Sequence, residues 1–392
     1  MDIARAVAAA DDHQLTSLSI EPGREEEARQ LVGQLGDAAP PVTTGADGLT
    51  RLWQSRPDCL VLAAGDDPRA VLDNVRRLVE LERPLVLAHP LHPSAMVYYE
   101  LELVRESGPA MLVPYLPFRW HPAVRQLADG ARAEEAAAGG PLEQITLDRS
   151  VGQLTRSGWL DLFAGDVDVV RLLAGDITDV AAMLGAAPDE APTSLNVQMT
   201  TRRGVLVRWS LTAVEQPPAG QLTLVGRRGS LTLSLGATQP WQLEAVAGQR
   251  QLLETWPAPD GQQRLAALVA VLQQLKTDPA LSQRLWQDAT RDVEVVEALE
   301  KSLRKRRLVQ LNYEGRGEQE AFKGTMVSLG CGLLVVLVMI AVAAGAALKL
   351  AKEQGLDQLA AWVAKLPYLA LGVMVLFLLL QLLRLVIPVK RE

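Results

Sequence analysis

The segment from Leu78 to Pro122 constrains the fold more than any other part of the sequence. A helix end passes through Arg83 and Pro84 into a short apolar strand, Leu85 to Leu87, which stops at Ala88-His89-Pro90 and leads into another helix. A second apolar strand, Ala110 to Val113, follows. Strand, helix and strand joined by short connections is the pattern of a parallel sheet, whose ligands sit beyond the carboxyl ends of the strands. Ala88-His89-Pro90 lies at such an end.

The same alternation precedes this segment. Met1 to about Asp12 reads as an alanine-rich helix, Gln14 to Ile20 as a strand ending at Glu21-Pro22-Gly23, Glu25 to Leu35 as a helix, and Cys59 to Ala63 as an apolar strand. Asp67 and Pro68 supply an N-cap and a first-turn proline for a helix over Arg69 to Leu81; the cap accounts for Asp67 without a carboxylate pair with Asp66. Residues 1–122 are therefore expected to form an incomplete Rossmann-like parallel sheet domain. A dinucleotide-binding sheet opens with a strand and a Gly-x-Gly-x-x-Gly turn that delivers pyrophosphate to a helix amino end, whereas this sequence starts inside that helix. Either the true start lies upstream of Met1 or that phosphate site has been lost.

From about Gly139 the texture changes. Leu142 to Val151, Ser194 to Gln198, Val205 to Leu211, Leu222 to Val225, Ser230 to Leu235 and Gln242 to Val246 read as strands. The alternation Leu231-Thr232-Leu233-Ser234-Leu235 marks a sheet with one face covered and one open, and Gly226-Arg227-Arg228-Gly229 reads as a tight hairpin turn. Helices are expected over Leu162 to Gly175, from about Gln262 to Leu275, and from about Ala280 to Arg304. The fold class is thus α/β plus α+β, with a second, mostly antiparallel sheet domain over residues 123–312 and a polar linker over 313–325.

Mean hydropathy is high for a globular chain, at +0.10, and the excess lies in two runs near the carboxyl end. Met326 to Leu348 contains no charged residue. At roughly 1.5 Å per residue it is about 34 Å long, enough for a hydrocarbon core of about 30 Å. Leu366 to Val386 is a second such run, with Trp362 and Tyr368 at its entry and Arg384, Lys390 and Arg391 at its exit. Residues 326–388 are expected to be a transmembrane helical hairpin; Ser328 and Gly332, then Ala341 and Gly345, have the spacing that lets helices approach closely. Basic outer flanks and the lack of a secretory signal in MDIARAVAAADD put the soluble domains and both termini on the cytoplasmic side of a bacterial-type inner membrane. A net charge of −7 argues against nucleic acid as a partner, and Cys59 and Cys331 form neither a disulfide framework nor a zinc spacing.

Val86-Leu87-Ala88-His89-Pro90-Leu91, the helix after it, Val113-Pro114-Tyr115 and Arg119-Trp120-His121-Pro122 together resemble the core of the Gfo/Idh/MocA family of NAD(P)-dependent sugar oxidoreductases. The resemblance implies a second domain whose open sheet face makes oligomer contacts, and NAD or NADP as cofactor in active members. The family carries a catalytic lysine in Glu-Lys-Pro where this chain has Ala88-His89-Pro90, and a histidine in His-x-x-Asp where it has Gly165 and Asp168. Glu21 stands where the family places an acidic residue on the adenosine ribose, and it equally suits a turn before Pro22. Arg119 and His121 fall where they would line the interdomain cleft or pack the linker. The turn from Ala64 to Arg69 keeps none of the family's Thr-Pro-Asn-x-x-His.

Oxidation of an alcohol needs a group that takes up the hydroxyl proton and a second that holds the substrate. No lysine precedes Lys276, and arginine holds its proton too tightly to shuttle it. Acid-base chemistry would therefore fall to His89, with Asp168 as the conserved element of the motif pattern; a histidine before proline at a strand end is also the pattern of a surface turn. His89 and His92 lack a third ligand in sequence, so no metal is expected. Two readings follow. One is a membrane-anchored, catalytically degenerate protein kept for binding or assembly, with no cofactor assigned. The other is a working oxidoreductase on a sugar or polyol whose start lies upstream. A homo-oligomer is expected through the open sheet face.

Overall fold

The computed structural model describes residues 13–311 apart from 21–24, 37–38, 45, 66, 109, 133–139, 186–191, 216–218 and 248, together with Ala4, Ala6, Val7, Ala10, Met339, Ala343, Ala344, Ala346 and Ala347. The chain divides into two compact units, Met1–Tyr313 and Glu314–Glu392. Glu21, the linker and nearly all of both apolar runs lie outside the described residues. Among those described, no helix is long and apolar enough to cross a membrane.

Short apolar strands set the first layer. β1 (Leu18–Ile20) pairs in parallel with β2 (Val42–Thr44), while β3 (Leu60–Leu62), β4 (Leu85–Leu87) and β5 (Leu112–Pro114) form a separate parallel group. Helices α1 (Glu25–Leu35), α2 (Ala46–Ser55), α3 (Pro68–Val79) and α4 (Ala95–Ser107) alternate with them. The expected strand Gln14 to Ile20 pairs only from Leu18, because its partner β2 is three residues long. No described strand joins β1 to β3, and Val61 on β3 is 53% exposed at that edge. β4 is buried throughout because both its faces are covered. Leu85 and Leu87 pack with Tyr98, Leu101 and Trp286, whereas Val86 packs with Val113, Leu268 and Leu285.

The second layer is a nine-stranded sheet in the order β13-β12-β11-β10-β6-β9-β8-β7-β14. The strands are β6 (Leu142–Val151), β7 (Ile177–Gly185), β8 (Ser194–Thr201), β9 (Leu206–Ala213), β10 (Gly220–Gly226), β11 (Gly229–Ser234), β12 (Trp241–Ala247), β13 (Gln249–Trp256) and β14 (Val309–Gln310). Neighbours are antiparallel except β6 and β9, and Gly226 opposes Gly229 at the hairpin expected there. Helix α5 (Pro122–Arg132) leads into this domain, and α6 (Arg156–Ala174) covers one face, burying Phe163 against Trp209. The other face carries polar side chains such as Gln198, Arg208 and Thr223.

Two further helices, α7 (Gly261–Thr277) and α8 (Pro279–Lys305), close the unit. α8 serves every core: Trp286 and Val293 pack on one side of the parallel strands, Leu285 on the other, and Val296 and Leu299 under the nine-stranded sheet. Its polar positions therefore reach the junction of these layers, which is where the candidate site lies.

Candidate functional site

β4 delivers His89 to this junction. Its side chain is 1% exposed, so the residue is a buried group and not the surface turn that the histidine-proline pair suggested. Tyr98 on α4 explains the orientation. Its hydroxyl accepts the Leu91 N–H at 2.8 Å and lies 3.4 Å from His89 Nδ1, with the two rings edge to face. The Tyr98 hydroxyl therefore orients the imidazole through Nδ1. Nε2 faces Asp292 Oδ2 on α8 at 3.5 Å, and neither atom has a hydrogen-bond partner among the described residues.

Asp292 belongs to a chain of buried charges. Its other oxygen accepts from Arg171 Nη1 at 2.6 Å, and the same nitrogen donates to the Asp288 carbonyl at 2.8 Å. Arg171 Nη2 reaches Asp176 at 3.1 Å and Asp288 at 3.3 Å. Arg119 clamps Asp168 with two nitrogens and donates to Asp288 at 2.6 Å. The elements make this arrangement unavoidable: Asp168 and Arg171 are one turn apart on α6, and Asp288 and Asp292 are one turn apart on α8. Burial pushes the Asp168 carboxyl up to about 6 against the pull of Arg119. Arg119 is shared with Asp288, and the like charge of Asp292 adds to the rise. Burial also acts on Asp292, but Arg171 and His89 outweigh it and hold that carboxyl below its ordinary value.

Asp161 lies two turns before Asp168 on the same helix and was not singled out by sequence. It faces solvent. Partial burial raises its pKa, and the charge of His89 opposes that rise. The i, i+7 spacing to Asp168 was the available signal. Between them, Gly165 is covered by Phe118: a Cβ there would stand 3.1 Å from Cδ2 and 3.2 Å from Cε2 of the ring. Phe118 is itself fixed, under the Arg149 guanidinium at 5.6 Å and beside Trp241. Arg149 in turn grips Asp166, which also accepts from Trp209 Nε1 at 2.8 Å.

His121 is placed elsewhere. It stacks on Trp241 at 4.1 Å and accepts the Ala123 N–H at 3.2 Å, so it caps α5. Burial lowers its pKa. Arg119 does line an open pocket of about 280 Å³, with Trp120, Arg125, Leu172, Val271 and Leu285, but His89 is not among its walls. No cluster of metal-ligating side chains occurs among the described residues. His92 accepts the Ser94 N–H at 3.0 Å and so helps to start α4.

The helix starts after β3 and β4 offer no free N–H groups to a phosphate, while the first helix, at whose amino end the family's pyrophosphate would sit, lies almost wholly outside the described residues. Pyrophosphate binds free N–H groups at a helix amino end beyond a parallel strand. Asp67 occupies that position on α3, accepting from Arg69 N at 3.0 Å. On α4 the Ala95 N–H donates at 3.1 Å to Glu297 from α8. Both helix starts after β3 and β4 are thus occupied by the protein's own carboxylates, which would repel phosphate.

No protein-family model and no curated protein matches the sequence. Solved structures do match the fold. The aldose-aldose oxidoreductase from Caulobacter crescentus is similar over 79% of this chain and 95% of its own, at 17% identity and a TM-score of 0.61. A myo-inositol dehydrogenase from Corynebacterium glutamicum covers 79% of this chain and 95% of its own, at 17% identity and a TM-score of 0.55. KijD10, a 3-ketoreductase from Actinomadura kijaniata solved with NADP, covers 76% and 93%, at 18% identity and a TM-score of 0.59. The fold is that of Gfo/Idh/MocA-type oxidoreductases, and identities this low leave the chemistry to be argued from the residues themselves.

Proposed function

We propose that this chain is a divergent, membrane-anchored protein of the Gfo/Idh/MocA type whose cleft serves binding or assembly and not turnover. The observation that carries this reading is the closure of His89. A proton shuttle must reach the substrate hydroxyl, yet this imidazole is enclosed by Tyr98 and Asp292 at 1% exposure. The anchor rests on the uncharged run 326–348 and the second run 366–386, and the cytoplasmic side on the basic flanks. Self-association through the polar open face of the nine-stranded sheet completes the reading; a monomeric mass in detergent would remove that part.

Calorimetric titration of the full-length protein with NAD and with NADP tests the central claim. We expect no heat of binding up to millimolar nucleotide; micromolar binding of either would overturn it.

One observation favours a second reading, an NAD(P)-dependent oxidoreductase on a sugar or polyol. Asp161 keeps a solvent-facing carboxyl within the field of His89, so one titratable group near that histidine is open to a substrate. In that case His89→Ala and Asp161→Asn would each abolish sugar-dependent nucleotide reduction. Unchanged turnover in both would end this alternative.

A further inference from the structure

The carboxyl end of α8 carries four consecutive cations, Arg304 to Arg307, all exposed. Basic residues in a last helical turn complement the helix dipole, but that accounts for one or two of them. None of the four has an ion-pair partner among the described residues, in a chain whose net charge is −7. Arg306 turns the backbone into the left-handed region at φ 49, ending the helix.

This basic end is joined to an apolar surface. Ser302 Oγ donates to the Arg307 carbonyl at 2.7 Å and accepts the Ala182 N–H at 3.0 Å, which ties the helix end to β7. On the same face of β7 as Ala182, Leu184 is 46% exposed, and Leu308 after the helix is 53% exposed. Large apolar side chains rimmed by unpaired cations form a contact surface for something both apolar and anionic.

We infer that this face docks on an anionic phospholipid leaflet. Lipid offers both chemistries at once: headgroup phosphate for Arg304 to Arg307, and an acyl boundary for Leu184 and Leu308. Chain length agrees, since only residues 312–325 separate Leu311 from the apolar run 326–348, a tether of roughly 50 Å at full extension. The inference builds on the anchor reading but is read out separately from it.

The test uses the full chain with Cys59 and Cys331 changed to Ala and a single cysteine at Leu184 or Leu308 carrying an environment-sensitive dye. Vesicles of phosphatidylcholine alone are compared with vesicles containing phosphatidylglycerol. We expect a blue shift and protection from an aqueous quencher only with the anionic lipid, weakening as salt rises. A dye at Gln198 on the open sheet face should not respond. A basic residue near such a surface gains roughly fivefold in partitioning, so R304Q with R306Q should weaken the response more than tenfold. An equal response in both lipids, or dye burial without vesicles as in docking on an acidic protein surface, would overturn the inference. Alkaline carbonate extraction reports the anchor independently: release sinks the anchor reading, while the dye still decides docking on added vesicles.

Discussion

His89 Nε2 lies 3.5 Å from Asp292 Oδ2, with side chains 1% and 0% exposed, and this contact ties the end of a parallel strand to the helix that seals all three cores. Burying charge is costly unless it is paired and hydrogen-bonded. Here three arginines, Arg119, Arg171 and Arg291, face four carboxylates, Asp168, Asp176, Asp288 and Asp292. His89 Nε2 faces the remaining oxygen of Asp292. A lysine at this place would also neutralise the cluster, but its flexible stem would not be held by Tyr98 as the rigid imidazole is.

Asp292→Ala should be among the most damaging substitutions in the chain. It removes the fully buried partner of Arg171, which keeps Asp176 and Asp288, so the loss should lie toward the lower end of the range of about 3–5 kcal/mol for breaking a buried pair. His89→Ala should cost less, about 1–3 kcal/mol, because Arg171 still satisfies Asp292. The double variant should lose less than the sum. Urea unfolding of the three variants checks this, and strictly additive losses would show that the two side chains do not interact.

The two buried aspartates should give stability opposite pH dependences. Asp168 titrates at about 6 when folded against 3.8 for the free group, so between these values the folded protein holds more protons than the unfolded chain. Its contribution is therefore largest below pH 3.8 and is lost as pH rises through 6. The folded value of Asp292 lies below 3.8, so its contribution is present above pH 3.8 and is lost as pH falls further. Asp168→Asn should make the unfolding midpoint less sensitive to pH between 4 and 6, and Asp292→Asn less sensitive below 4. Unfolding curves at stepped pH that overlay wild type after either change would contradict the assignment.

Gly165 cannot be restored to the family histidine. With Phe118 carbons 3.1 and 3.2 Å from the added Cβ, Gly165→Ala should cost about 1–3 kcal/mol as an overpacked site. Gly165→His should cost more and confer no sugar-dependent turnover. Phe118→Ala should relieve the steric part of the loss. A stable, active Gly165→His variant would show that the family site had been preserved.

Sequence pattern reached elements that stand on local signals. Glu25–Leu35, Leu85–Leu87 and Leu142–Val151 have the bounds expected of them, and Asp67 caps its helix as the following proline indicates. The strands that pattern passes over are Val42–Thr44, Ile177–Gly185, Gln249–Trp256 and Val309–Gln310; Ile177–Gly185 buries Ile177, Val180 and Ala182 without a strict alternation, and Val309–Gln310 is two residues long. Val42–Thr44 is a three-residue edge, and Gln249–Trp256 is exposed everywhere except Trp256, so neither shows a buried alternation. The ion network was illegible for a different reason. Asp288 and Asp292 look like the solvated face of a charged helix, and their partner Arg171 stands 117 residues before Asp288. Nothing local marks which carboxylates will be buried when α6 and α8 meet.

The proposed anchor carries a topology prediction in its charge flanks. Before the first apolar run stand Lys301, Arg304 to Arg307, Arg316 and Lys323, and after the second stand Lys390 and Arg391. The connecting segment has only Lys349, Lys352 and Lys365, offset by Glu353 and Asp357. Lysine and arginine near span ends are retained on the cytoplasmic side, so the connecting loop should face outward and both termini inward. In a chain with Cys59 and Cys331 removed, a cysteine at Gln358 should react with an impermeant maleimide on intact cells, and one at Gly315 only after permeabilisation. Reaction at Gly315 on intact cells would invert the orientation, and it would also place the basic end of α8 away from the anionic cytoplasmic leaflet.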